Sequence, residues 1–152
     1  MPATRNDVDT VTALLATADA LLTEGPDADG PLTPAGRARG AAYALRIALE
    51  AAVDATLTAE AAGLGAISMR AKLLCLRHYA GPALAHRVNA LWNRLSEGCK
   101  YHHDEIGPRH AQVHAWRAAV GSLVVELTAP GAAVGFPQQR DDSALPTEAS
   151  TC

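Results

Sequence analysis

A single apolar stripe limits what this chain can fold into. Leu84, Val88, Leu91, Trp92, Leu95, Cys99, His102 and Ile106 recur at spacings of three and four, the period at which an α-helix keeps one face against a core. A strand would turn alternate members of this set outward. The stripe predicts one long helix of about six turns at 3.6 residues per turn, with Gly98 tolerated inside it and His102 turned inward.

The rest of the chain repeats the helical period between clear punctuation. Val8, Val11, Leu15, Ala18 and Leu22 mark a first helix over 7–23, and the Gly, Pro and Asp of 25–30 mark a surface loop. Thr33 followed by Pro34 reads as an N-cap and a first-turn proline, opening a second helix that runs to about residue 62. On it Gly40, Ala44, Ala48 and Ala52 fall four apart, a ridge of small residues that lets another backbone approach closely. Leu45, Leu49 and Val53 fill the neighbouring stripe. Gly63 and Gly65 break the chain, Ser68 caps a third helix, and Gly81 with Pro82 stops it. After the long fourth helix, Gly107 and Pro108 make a tight corner. A fifth helix over 109–128 then buries Val113, Trp116, Val120, Leu123, Val124 and Leu127.

The expected fold is therefore all-α, an up-and-down bundle of about five helices closing on the second, fourth and fifth. One domain should occupy 1–128. From 129 to 152 the Pro, Gly, Ser and Gln content rises and the period is lost, which predicts a disordered tail. Composition agrees: 49% of residues are hydrophobic but only 4% aromatic, so Ala and Leu supply the core. No apolar run nears the roughly 18 to 20 residues that span a bilayer, and the N-terminus lacks the order of a signal peptide. The expectation is a cytoplasmic protein without a membrane partner. The three cysteines, 75, 99 and 152, are scattered and odd in number, which suits reduced thiols.

Charge is segregated along the chain. Residues 65–120 hold eight Arg and Lys against Glu97, Asp104 and Glu105, a balance of +5, whereas the flanking segments carry −5 and −3 within an overall −3. All six histidines also lie in the basic segment. An anionic partner should meet this part of the molecule. Because the turn at Gly107 and Pro108 is short, the end of the fourth helix and the start of the fifth must be neighbours, which confines His102, His103, His110 and His114 to one end of a hairpin.

Two kinds of chemistry are open to that corner. In the first, Arg109 holds a phosphate through its planar fork, and an imidazole such as His114 moves a proton at cellular pH. The run from Arg109 and His110 through three residues to His114 resembles the signature of the HEPN superfamily, in which an arginine, a polar residue, a short spacer and a histidine open a late helix of a small bundle. The resemblance implies a metal-independent ribonuclease, with dimerisation bringing two motifs together. Arg109, His110 and His114 would be its catalytic groups. Arg94, Lys100, His102, His103 and Arg117 would bind RNA or another anionic partner, and no cofactor would be needed.

In the second, Cys99 and His103 on one helix and His110 and His114 on the next make a set of four zinc ligands, each pair four residues apart. Beside both stands a structural reading, in which His102 and His110 are partly buried imidazoles that pin the corner by hydrogen bonds. The bundle is then a homodimerising or partner-binding module without turnover. Trp92, Trp116 and Cys75 are expected in the core, and Arg70 and Arg77 on a solvated face. Glycine-rich phosphate loops, nucleophile elbows and His-Glu-x-x-His helices are absent from the sequence.

Overall fold

Helix boundaries fall where the sequence supplies caps and breakers. The computed structural model describes residues 5–23, 30–100 and 107–129. Thr33 Oγ1 accepts a hydrogen bond from the Gly36 amide at 3.1 Å, and Pro34 follows it in the first turn; Ser68 caps in the same way through the Ala71 amide at 3.4 Å. Gly81 adopts φ 87° and ψ 156°, a region that only glycine enters readily, and Pro82 begins the next helix. The helices so delimited are α1 (Arg5–Thr23), α2 (Pro34–Glu60), α3 (Met69–Tyr79), α4 (Pro82–Cys99) and α5 (His110–Thr128), with one short 3-10 helix, Ala62–Ala66, after α2. The described residues contain no strand, so the all-α, five-helix expectation holds. The expected tail lies, beyond Ala129, outside the described residues.

Helix α2 is the centre of the molecule. It packs against α1, α3, α4 and α5, while α3 also packs on α4, and α1 and α4 on α5. Its Ala44, Ala48 and Ala52 are buried together with Leu45, Leu49, Val53 and Leu57. At Gly40 a Cβ would stand 3.3 Å from Leu21 of α1, so the ridge does what its spacing implies: it lets a second helix come close. From the other elements Val88, Leu95, Val113 and Val120 complete the core, all fully buried.

One expectation about the elements is corrected. The stripe from Leu84 to Ile106 does not form one continuous helix: α4 ends at Cys99, and Lys100 is extended, with φ −66° and ψ 132° and its amide bonded to the Glu97 carbonyl at 3.1 Å. Gly98 stands in this last turn. A Cβ there would meet the buried ring of Trp116 at 2.9 Å, so α5 crosses α4 at the one residue without a side chain, in a last turn that glycine already weakens. His102, His103 and Ile106 lie outside the described residues. Helix α2 likewise ends at Glu60, two residues short of its expected end.

This crossing generates a prediction whose sign depends on the background. In an open helix Gly→Ala gains about 1 kcal/mol, yet Gly98→Ala should lower stability here, because overpacking a rigid buried ring costs about 1–3 kcal/mol. In a Trp116→Leu background, itself destabilised, adding Gly98→Ala should raise stability. Urea unfolding of the four proteins measures the coupling, and additive effects would contradict the contact.

Candidate functional site

The α5 end of the corner opens on Arg109, the N-cap residue, extended at φ −71° and ψ 147°. Its side chain makes no capping hydrogen bond, and the first turn of α5 carries no acidic residue. A guanidinium therefore stands at the positive end of the helix dipole. Arg109 and His114 are exposed, and neither side chain has an ion pair or hydrogen bond among the described residues. Arg109 stands ahead of the first turn, so the residue one turn before His114 is His110. The two imidazoles pack edge to face, with centroids 4.7 Å apart and planes at 67°.

His110 has a different role from its neighbour. Its Nε2 lies 2.9 Å from the carbonyl oxygen of Leu22 in the last turn of α1. A carbonyl only accepts, so Nε2 carries the proton and satisfies one of the carbonyls that a helix end leaves without an intrahelical partner. His110 thus joins α1 to α5: it is a partly buried, hydrogen-bonded imidazole as the structural reading had it, but its partner is α1 and not the α4–α5 corner. Arg117, one of the candidate binding residues, lies two turns along and does the same job: its Nε and Nη2 each donate to Asp19 of α1 at 2.8 Å. Lys100, just past the end of α4, is paired with Glu97 in its last turn. Arg94 is exposed and has no ion pair among the described residues. His102 and His103, the remaining candidates, lie outside them.

The proposed zinc ligands are only partly brought into view. His103 is outside the described residues, and those residues contain no group of three or more His, Cys, Asp or Glu side chains placed to hold a metal ion, so Cys99, His110 and His114 do not gather into one. Cys99 is half-buried, and its charged neighbours are Arg46, Glu50 and Arg39 of α2. Burial pushes its thiol above the ordinary range, against the pull of Arg46. Nearby, Glu50 Oε1 accepts from Trp92 Nε1 at 2.7 Å and from Arg46 Nε at 2.9 Å, and this bond holds the Arg46 guanidinium above its usual pKa. Trp92 is accordingly half-buried at a polar seam, whereas Trp116, 7% exposed, belongs to the core. Cys75 is likewise only half-buried.

A second concave region lies where the sequence pointed to a plain solvated face. Arg70 and Arg77 of α3 are exposed as expected, but they border a cavity of about 640 Å³ between α3 and α4, with His86, Asn89 and Asn93 on its other wall. A separate depression of about 390 Å³ shares Asn93 with it and is bordered by Arg94, Glu97, Lys100 and Gln112. A seven-residue spacing of arginines on one helix and a 3,4 spacing of polar residues on the next were visible; that the two faces meet across a groove was not.

The two histidines of α5 should separate cleanly by mutation. His110→Ala leaves the Leu22 carbonyl without its partner and should cost about 1–3 kcal/mol, while His114→Ala, at an exposed position, should change stability by less than about 0.5 kcal/mol. Thermal or urea unfolding of the two variants checks this, and equal losses would contradict the assignment.

The chain matches no protein-family model, no curated protein and no solved structure, so its function is argued from the side chains described above.

Proposed function

We propose that the chain is a HEPN-like helical domain that binds RNA or another anionic partner at the α4–α5 corner, with residues 100–117 as the contact region and metal-independent cleavage as its chemistry. The reading is carried by one observation: Arg109 and His114 stand exposed at the start of α5, and neither side chain has an ion pair or hydrogen bond among the described residues. A cation at the positive end of a helix dipole is mildly unfavourable by itself, and a bound phosphate removes that penalty. In the cleavage step His114 exchanges a proton with the ribose hydroxyl or the leaving oxygen, and Arg109 neutralises charge on the phosphate. A homodimer would bring two such pairs together.

A second reading has its own support. His110 and Arg117 both hold α1 against α5, so part of the motif serves the fold, as in a partner-binding module without turnover.

Labelled RNA incubated with the protein in EDTA separates the two. Cleavage that persists in EDTA and falls by at least about 100-fold, the usual contribution of general acid–base catalysis, in Arg109→Ala and in His114→Ala, with helicity unchanged, is the expected result. A folded, dimeric wild type that leaves a broad panel of RNAs intact would sink the ribonuclease reading in favour of the module.

A further inference from the structure

The arginines of the basic segment divide by partner. Arg87 and Arg117 form two-pronged ion pairs with Glu126 and Asp19, and Lys72 is buried against Asp54 at 2.6 Å. Arg70, Arg77 and Arg94 are exposed and have no ion pair among the described residues. Arg70 and Arg77 border the larger cavity and Arg94 the smaller depression, which meet at Asn93 of α4. Arg70 and Arg77 sit seven residues apart, on one side of α3 and about 10 Å apart at 1.5 Å per residue. Opposite them, no carboxylate lines the larger cavity among the described residues, only His86, Asn89 and Asn93 as polar groups and Trp92 as an aromatic one. Asn93 donates to Asn89 at 3.4 Å, a long contact between two amides that keep other donors and acceptors to offer.

The short connection at Gly81 sends α4 back along α3, so Arg77 and His86 lie at one end of the groove and Arg70 and Asn93 at the other. The smaller depression, which shares Asn93, is bordered by Arg94, by Glu97 and Lys100, which pair with each other, and by Gly107 and Pro108, immediately before Arg109. Arg94 is the cation it offers without an ion pair among the described residues.

We propose that this track along α4 binds the phosphate backbone of a single-stranded nucleic acid, with Arg70, Arg77 and Arg94 on successive phosphates and the asparagines and Trp92 meeting the bases. A strand fits because packed helices stand only about 8–10 Å apart, while a double helix is too wide to enter and rests on the rims alone. Cationic grooves with an aromatic surface hold single strands in this way, largely without regard to sequence. The inference shares its class of ligand with the proposed function and in that respect rests on it, but it needs no turnover at Arg109 and His114.

Fluorescence anisotropy of short labelled oligonucleotides tests it on the full chain. The arms are single-stranded RNA, the same sequence as DNA, and the duplex; the DNA strand lacks the 2′-hydroxyl and so reads binding without cleavage. The expected result is binding of at least one single strand, weakened about tenfold at physiological salt in the Arg70→Gln, Arg77→Gln double variant, with the salt slope reduced by about 0.7 for each arginine removed. Arg87→Gln, which removes one positive charge from the α5 side of α4, should leave affinity within about twofold, since it makes none of these phosphate contacts. Wild-type affinity in the double variant overturns the track and leaves the cleavage reading untouched. A duplex bound as tightly as the single strand, or full competition by inorganic phosphate at matched phosphate concentration, overturns it as well. A strand held through Arg70 and Arg77 in a protein that cuts no RNA supports the track and contradicts the cleavage reading. If no strand binds, both fail.

Discussion

Helix α2 is in contact with every other helix, and the remaining geometry follows from how it permits this. A helix that must be covered from several directions cannot carry large side chains on every face, because backbones of neighbouring helices then stand too far apart for a bundle of this size to close. The run of Gly40, Ala44, Ala48 and Ala52 resolves the conflict on one side, where Leu21 of α1 reaches within 3.3 Å of the missing Gly40 Cβ, and the leucines and valine of the adjacent stripe fill the other. The same device recurs where α5 crosses α4, with Gly98 yielding space to Trp116. Close packing of this kind has little slack, and a single added methyl is felt.

An interior built from alanine and leucine sets helices close together but specifies their register weakly, since one apolar methyl resembles the next. Polar links between helices supply what the core lacks. Asp19 and Arg117, together with His110 and the Leu22 carbonyl, tie α1 to α5; Glu126 and Arg87 tie α5 to α4; Glu50 receives Trp92; Asp54 receives Lys72. The hydrogen bonds of the Arg87 pair hold the Glu126 carboxyl below its ordinary pKa and the guanidinium above it. Exposed pairs like these contribute little stability individually, and their value lies in orientation. They also occupy a defined subset of the cations, which is why the net positive charge of residues 65–120 is displayed by a few side chains along α4 and at the start of α5.

Much of the fold was legible in the sequence because local chemistry determines it. Thr33 with Pro34, Ser68, and Gly81 with Pro82 act within one turn of themselves, and each cap or stop stands where its residues indicated. The alanine ridge reads correctly because its spacing alone fixes a face. What periodicity could not convey is anything decided by a partner distant in the chain. Cys99, His102 and Ile106 share a phase with Leu95, yet the helix stops at Cys99, one residue past the glycine that Trp116 crosses. Arg117 pairs with Asp19, 98 positions earlier, and His110 Nε2 meets a carbonyl of α1, partners that no local spacing conveys. Arg70 and Arg77 looked merely solvated because the groove they border needs α4 as its second wall.

The account thus separates two populations of arginine, one fixed in the fold and one presented to a ligand, and side-chain NMR observes both at once. In ¹H–¹⁵N spectra the Nε–Hε groups of Arg46 and Arg117, which donate to Glu50 and Asp19, should be persistent and slow to exchange with water. Those of Arg70, Arg77, Arg94 and Arg109 should be averaged and fast. Titration with a single-stranded oligodeoxynucleotide should shift and slow the second group while leaving the first in place. Uniform behaviour of all the arginines in the unliganded protein, or a strand that perturbs Arg46 and Arg117 as strongly as Arg70 and Arg77, would contradict the division.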